Sequence, residues 1–153
     1  MNANEFLKKQ HRDVQALYEE FKAADGDAKD EIGKKLLTAL VVHDDIEDEL
    51  YYPELEKVGL KDSVEEYRAE HVATETNIGR LKTMDHEDDE FEPTMKAMME
   101  GVNHHIEEEE TQGMPKFEAL VDPGVLADLG AKLDARSKEL HESTLKRLWA
   151  TLT

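Results

Sequence analysis

Two stretches of this chain place a histidine and a glutamate four residues apart inside a longer pattern that occurs twice. His43 to Glu56 aligns with His105 to Glu118, and both read H-x-x-x-E-[DE]-x-x-x-x-P-x-[LF]-E. On a helix, positions i and i+4 stand on one face, a turn apart. An imidazole nitrogen and a carboxylate oxygen so placed converge on one point, where they hold a cation, and the glutamate has a second oxygen for a neighbouring one. Each pair is preceded by a lone histidine, His11 lying 32 residues before His43 and His71 lying 34 before His105. The candidate ligands are therefore His11, His43, Glu47, His71, His105 and Glu109. With no cysteine in the chain, a metal must be held by nitrogen and oxygen. Imidazole mixed with carboxylate suits iron, manganese or zinc, and two carboxylates able to bridge favour a dinuclear site.

These residues must be carried by helices. Apolar positions recur with the 4, 3, 4, 3 spacing of a bundle seam. The first segment carries Leu7, Val14, Tyr18 and Phe21, the second Ile32, Leu36, Leu40 and Leu50. The third carries Val64, Tyr67, Ile78 and Leu81, the fourth Met95, Met98 and Val102. Each seam is interrupted by one of the four histidines. Asp25-Gly26, Pro53 with Gly59, and the acidic run 85–90 separate the segments, and Asp122-Pro123-Gly124 opens a fifth helix with Leu126, Leu129, Leu133, Leu140 and Leu148. No strand pattern appears. The expected fold is all-α: an up-down-up-down antiparallel four-helix bundle over 1–118, with a C-terminal helix over 119–153. Short connections make neighbouring helices antiparallel. His11 and His43 then lie about 14 and 15 residues from their shared turn, and His71 and His105 about 13 each, which at roughly 1.5 Å per residue is one common layer.

A single H-x-x-x-E says little in so acidic a chain. Chance alone gives about 1.7 acids four residues after a histidine, and here five histidines have one. The repetition, the proline and the common layer carry the inference, because four rings and their carboxylates in one buried layer would be costly without a cation. The proline register selects His105 over its neighbour His104, which remains a possible ligand with Glu108. Tyr51, one turn beyond Glu47, is a candidate catalytic phenol beside the site. Its counterpart in the repeat is Gly113, which leaves room on that side. Tyr67 stands one turn before His71 as a further possible ligand.

The formal net charge of −18, from 37 acidic and 19 basic residues, argues against nucleic acid and anionic membranes as partners. Without cysteine, disulfides and thiol catalysis are excluded. The N-terminus lacks a signal-peptide pattern, and no apolar run approaches the 18 or so residues of a membrane span. These features lead to the expectation of a soluble cytoplasmic protein, a monomer or weak homodimer.

On these motifs the chain resembles the hemerythrin-like (HHE cation-binding) family over residues 1 to about 118, and is similar to its small actinobacterial members that carry a further helix. The resemblance implies a non-haem centre of two iron ions sharing an oxo or hydroxo bridge, with Glu47 and Glu109 bridging. Oxygen-carrying members have a second histidine one turn after the helix-three histidine, where this chain has Glu75, a possible ligand; their last carboxylate is aspartate, here Glu109. Exchanging an imidazole for anionic oxygen favours ferric iron and argues against reversible oxygen carriage. The expected function is reaction with small oxidants, first H2O2 decomposition of a catalase-like kind or related oxidative and nitrosative defence. The alternatives are O2 or NO binding and sensing, against which the lack of an output domain counts, and iron storage or donation.

Overall fold

The computed structural model describes residues 1–149. Its helices are α1 (Ala3–Ala23), α2 (Gly26–Ile46), α3 (Tyr52–Lys57), α4 (Lys61–Thr83), α5 (Phe91–Glu108), α6 (Met114–Leu120) and α7 (Pro123–Trp149). A π-helical turn over Glu47–Tyr51 joins α2 to α3, and another over Glu109–Gly113 joins α5 to α6. Each of these pairs is one continuous rod, so the architecture is four long helices plus a fifth. No strand occurs among the described residues.

Local chemistry sets the ends. Asn2 and Glu5 form a reciprocal capping box at the start of α1, which satisfies two otherwise free backbone N–H groups. At the end of α3, Gly59 takes φ +90°, and Leu60 N–H and Gly59 N–H bond back to Leu55 and Glu56 carbonyls. That pairing needs a left-handed residue, which glycine supplies without a Cβ clash.

The two π turns come from the two prolines of the repeat. Pro53 and Pro115 lack an N–H, and their rings would crowd the carbonyl four residues back. The ladder widens just before each: Tyr52 N–H bonds to Glu47 O and Met114 N–H to Glu109 O, five residues apart. One extra residue is thereby fitted into the turn after each glutamate.

The interior is split into two apolar clusters. One gathers Val14, Phe21, Leu36, Leu40, Ile78, Leu81, Phe91 and the buried methionines Met95, Met98 and Met99. The other gathers Ala3, Leu7, Ile46, Leu55, Val64, Phe117, Leu129 and Leu133. In α1, α2 and α4 the histidine sits between the residues of one cluster and those of the other, and in the α5–α6 rod it lies near the end of the first cluster, ahead of Met114 and Phe117 of the second, so the polar layer lies across the middle of the bundle. Helix α7 packs on α1 and α2. Gly130 lets the N-terminus lie against it, since a Cβ there would stand 2.3 Å from the Met1 carbonyl. Trp149 Nε1 donates to Thr38 Oγ1 at 2.9 Å and fastens the far end of α7. No described helix is long and apolar enough to cross a membrane.

Candidate metal centre

The six ligands expected from the repeat meet in that layer, every one buried: His11, His43, Glu47, His71, His105 and Glu109. The rings pair within each half, His11 with His43 and His71 with His105, both at 4.8 Å between centroids. The glutamates span the halves. Glu47 Oε1 is 3.1 Å from His43 Nε2 on its own rod, and 3.0 and 3.8 Å from His71 and His105 Nε2 across the bundle. Glu109 Oε1 is 3.3 Å from His105 Nε2 on its own rod and 3.3 Å from His11 Nε2 opposite. Two overlapping ligand groups result, His11-His43-Glu47-Glu109 and Glu47-His71-His105, with donor atoms in each lying within 4.8 Å of one another.

All four rings present Nε2 inward and Nδ1 outward, and every Nδ1–H has an acceptor. For His11 it is Glu110 Oε2 at 2.7 Å, and for His43 it is Gln10 Oε1 at 2.8 Å. For His71 it is Asp48 Oδ1 at 3.0 Å, and for His105 it is Glu70 Oε1 at 2.7 Å. The wiring matches the repeat. The acid just after each site glutamate (Asp48, Glu110) holds the lone histidine of the other half. The residue just before each lone histidine (Gln10, Glu70) holds the paired histidine of its own half. Such partners fix the tautomer with a lone pair on Nε2, as metal-bound histidines require. The sequence reading reaches none of these four; the E-[DE] of the repeat and the two residues preceding the lone histidines are the only signal for them.

Electrostatics agree with a cation site. Burial would lower the His11 imidazolium's pKa, but Glu109 and Glu110 outweigh it and raise it to about 9. His71 is raised to about 11 against burial by Asp44, Asp48 and Glu47. Burial alone would raise Glu47, yet His43, His105 and His71 hold it well below the usual carboxylate range. So much anionic oxygen draws positive charge to one point. His11 Nε2, His43 Nε2, Glu47 Oε2, Glu109 Oε1 and Asp44 Oδ2 are buried and make no hydrogen bond among the described residues. Unpartnered buried polar atoms are rare and costly, and here they converge. The donor set fits a pair of cations with nitrogen and oxygen ligands.

Four of the candidate side chains stand off the cluster of six. Tyr51 points away from the centre and donates to Asn4 Oδ1; Tyr52 takes its place. The π turn moves the site face from the fourth to the fifth residue after Glu47, so Tyr52 Oη donates to Glu109 Oε2 at 2.7 Å. It also lies 3.2 Å from Glu47 Oε1, His71 Nε2 and His105 Nε2. Burial, with the charges of Glu109 and Glu47, keeps that phenol protonated far above its usual range. The room opposite at Gly113 is filled by Tyr67, whose Oη would be 2.6 Å from a Cβ there. Tyr67 meets His105 edge-on at 5.3 Å. Glu75 is exposed, its pKa raised by partial desolvation and by Asp48 and Asp45 beside it; the residue on the site face is Thr74. His104 is 68% exposed and pairs with Glu108 outside the bundle at 2.6 Å.

A third inward carboxyl group, Asp44, is hidden in the sequence among the x positions of H-x-x-x-E. It is buried, its Oδ1 lies 3.4 Å from His71 Nε2, and burial pushes its carboxyl up to about 8. Its counterpart in the repeat is Ile106. A cavity of about 20 Å³ adjoins the rings, bordered by Asp44, Thr74, Val14, Leu40, Val102 and Ile106.

A four-helix bundle that focuses four imidazoles and two shared carboxylates on its midline defines the class of helical cation-binding proteins. The chain belongs to the hemerythrin HHE cation binding domain family, whose model matches residues 2–117. It is similar to the crystal structure of a hemerythrin HHE cation binding domain-containing protein from Mycobacterium kansasii, with a TM-score of 0.84 and 26% identity over 97% of this chain and 92% of that one. A comparison with curated proteins gives no significant match.

Proposed function

We propose that the centre holds two iron ions, with His11, His43, Glu47, His71, His105 and Glu109 as ligands, and that the protein decomposes hydrogen peroxide in the cytoplasm. The observation that carries this is the set of unpartnered buried donors around two carboxylates that each touch histidines of both halves. When bound, two iron ions supply the two-electron storage by which one H2O2 is reduced to two waters and a second is oxidised to O2. The rest falls to the chain. The cavity beside the rings is about 20 Å³, room for a water-sized molecule, and its aliphatic border keeps bulk water away. Asp44 has a buried carboxyl whose pKa burial raises in the metal-free chain and a free buried oxygen, Oδ2, with which to hand a proton to a peroxide oxygen or take one back. Tyr52 holds Glu109 in place through its hydroxyl.

The second reading is O2 or NO binding, favoured by the same small, largely aliphatic cavity. Iron-loaded protein should contain two irons per chain and release O2 from added H2O2, and Asp44→Asn should slow that release while keeping the iron. Two irons without O2 release would move the assignment to the diatomic ligands. Iron that leaves to a mild chelator would mean storage or donation, and protein that takes up no metal would overturn the centre.

A further inference from the structure

The two overlapping ligand groups are built from the same repeat but are not equally basic. An imidazole that donates Nδ1–H to a carboxylate gains electron density at Nε2, and one that donates to a neutral amide gains less. Three of the four rings face carboxylates, and His43 alone faces an amide, Gln10. The carboxylates also differ. Glu110 is ion-paired with Arg12 and Asp48 with Arg68, which drains part of their charge. Glu70 has no arginine or lysine beside it among the described residues; besides His105 it meets His104 at 3.9 Å and a hydrogen bond from the Glu108 carboxyl, which lowers its pKa but brings no fixed positive charge. His105 is thus the most strongly backed ring and His43 the least.

Beyond the six ligands, two further inward oxygens stand on that side, while the other group has Glu109 as its second carboxylate. Asp44 Oδ1 stands beside His71, and Tyr52 Oη stands 3.2 Å from both His71 and His105. In the other half Asp44's place is taken by Ile106, and Tyr52's by Met114.

We propose that the position formed by His71, His105 and Glu47 binds a divalent cation more tightly and fills first, and that Gln10 and Glu70 are the positioning residues that set the difference. This rests on the cluster being a two-metal centre. Loss of an outer hydrogen-bond partner commonly changes metal affinity about 10–100-fold, so the two steps should be separated by at least about tenfold.

The test is calorimetric titration of the metal-free full-length protein with Co2+, with the visible cobalt bands tracked in parallel. Two resolved steps are expected. Gln10→Glu should tighten the second step and Glu70→Gln should weaken the first, so that each narrows the gap, with a shift of the cobalt bands belonging to the altered step. His43→Gln should abolish the weaker step and spare the tighter one. Circular dichroism melts of each metal-free variant separate loss of a site from loss of the fold, and Gln10→Glu, which only adds a carboxylate at a half-buried position, keeps the question open to a decisive answer if a histidine variant unfolds. Two equal steps, a gap indifferent to Gln10→Glu and Glu70→Gln, or loss of the tighter step in His43→Gln would overturn the ordering. Absence of any cobalt binding would instead overturn the two-metal reading beneath it.

Discussion

The two halves of the bundle share a backbone and differ in what they aim inward. Both have a lone histidine, an H-x-x-x-E rod, a proline and a π turn. After His43 come Asp44 and, beyond the π turn, Tyr52; after His105 come Ile106 and Met114. The half with the acid and the phenol sends both across toward the rings of the other, where Tyr52 lies against His71 and His105. The shared parts are what a pair of cations demands, and the unshared parts give the pair two unlike sides. A duplicated helix hairpin thus secures the ligands by symmetry and leaves the chemistry to the positions where symmetry is broken.

The two glutamates shared between the halves give the largest test of that division. Glu47 approaches three histidines and Glu109 two. Glu47→Ala should therefore cost more metal than Glu109→Ala, and both should exceed the roughly 10–100-fold loss typical of an outer partner. Metal analysis after dialysis against a defined free-iron level reads the difference. Equal losses would mean that the two carboxylates bridge alike and that the halves are closer to symmetric than their contacts indicate.

Proton linkage separates the halves next. In metal-free protein His11 is raised to about 9 and His71 to about 11. A cation whose pKa is raised on folding stabilises the fold fully below its unfolded value near 6.5, and that contribution is lost as pH rises through the folded value. Chemical denaturation should show stability falling from about pH 6.5 upward, with the His11 share gone by about 9 and the His71 share persisting to about 11; together they are on the order of several kcal/mol. In the variant His11→Gln the fall should still run from about pH 6.5 to about 11, but with a shallower slope below about 9, where His71 alone of the two remains. Because metals compete with those protons, iron uptake should release protons and weaken as pH falls.

Tyr52→Phe should be smaller. It removes a phenol hydrogen bond to Glu109, a bond to a charged group worth about 1.5–3 kcal/mol, whereas Met114→Leu at the equivalent place should cost less than about 1.5 kcal/mol. Urea melts of the metal-free proteins compare the two, and similar losses would deny Tyr52 any special place.

The extent to which this is readable from the sequence obeys the same split. The seams, the four histidines at one depth and the six inward donors come from 3.6-residue periodicity and from a repeat that shows itself, and the structure brings all six donors together. The features that escape depend on a local departure from that period. The helical count puts Tyr51 one turn after Glu47, but Pro53 widens the turn by one residue and hands the position to Tyr52. In the sequence the proline reads as a helix end, while its effect on the ladder ahead of it changes no residue's type or spacing. Asp44 escapes because an x in a motif carries no expectation, and the four outer acceptors because they come from different helices and meet only in the folded chain.

Glu75 offers the smallest effect and a sharp one. By simple spacing it occupies the position where oxygen-carrying relatives have their extra histidine, yet in this fold it is exposed among Asp45 and Asp48, while Thr74 faces the cavity. Glu75→Gln removes one of several crowded negative charges on the surface, and its effect on stability should stay within about 0.5 kcal/mol with the iron count unchanged. Glu75→His should likewise leave the visible spectrum of the iron-loaded protein as it was, because an imidazole there points to solvent. Thr74→His, which sets the same ring into a cavity of about 20 Å³, should alter the spectrum or obstruct small ligands. If Glu75→His changed the spectrum and Thr74→His did not, α4 would be turned relative to the centre by about one residue, and the division between an inward and an outward face of that helix would have to be redrawn around Glu75.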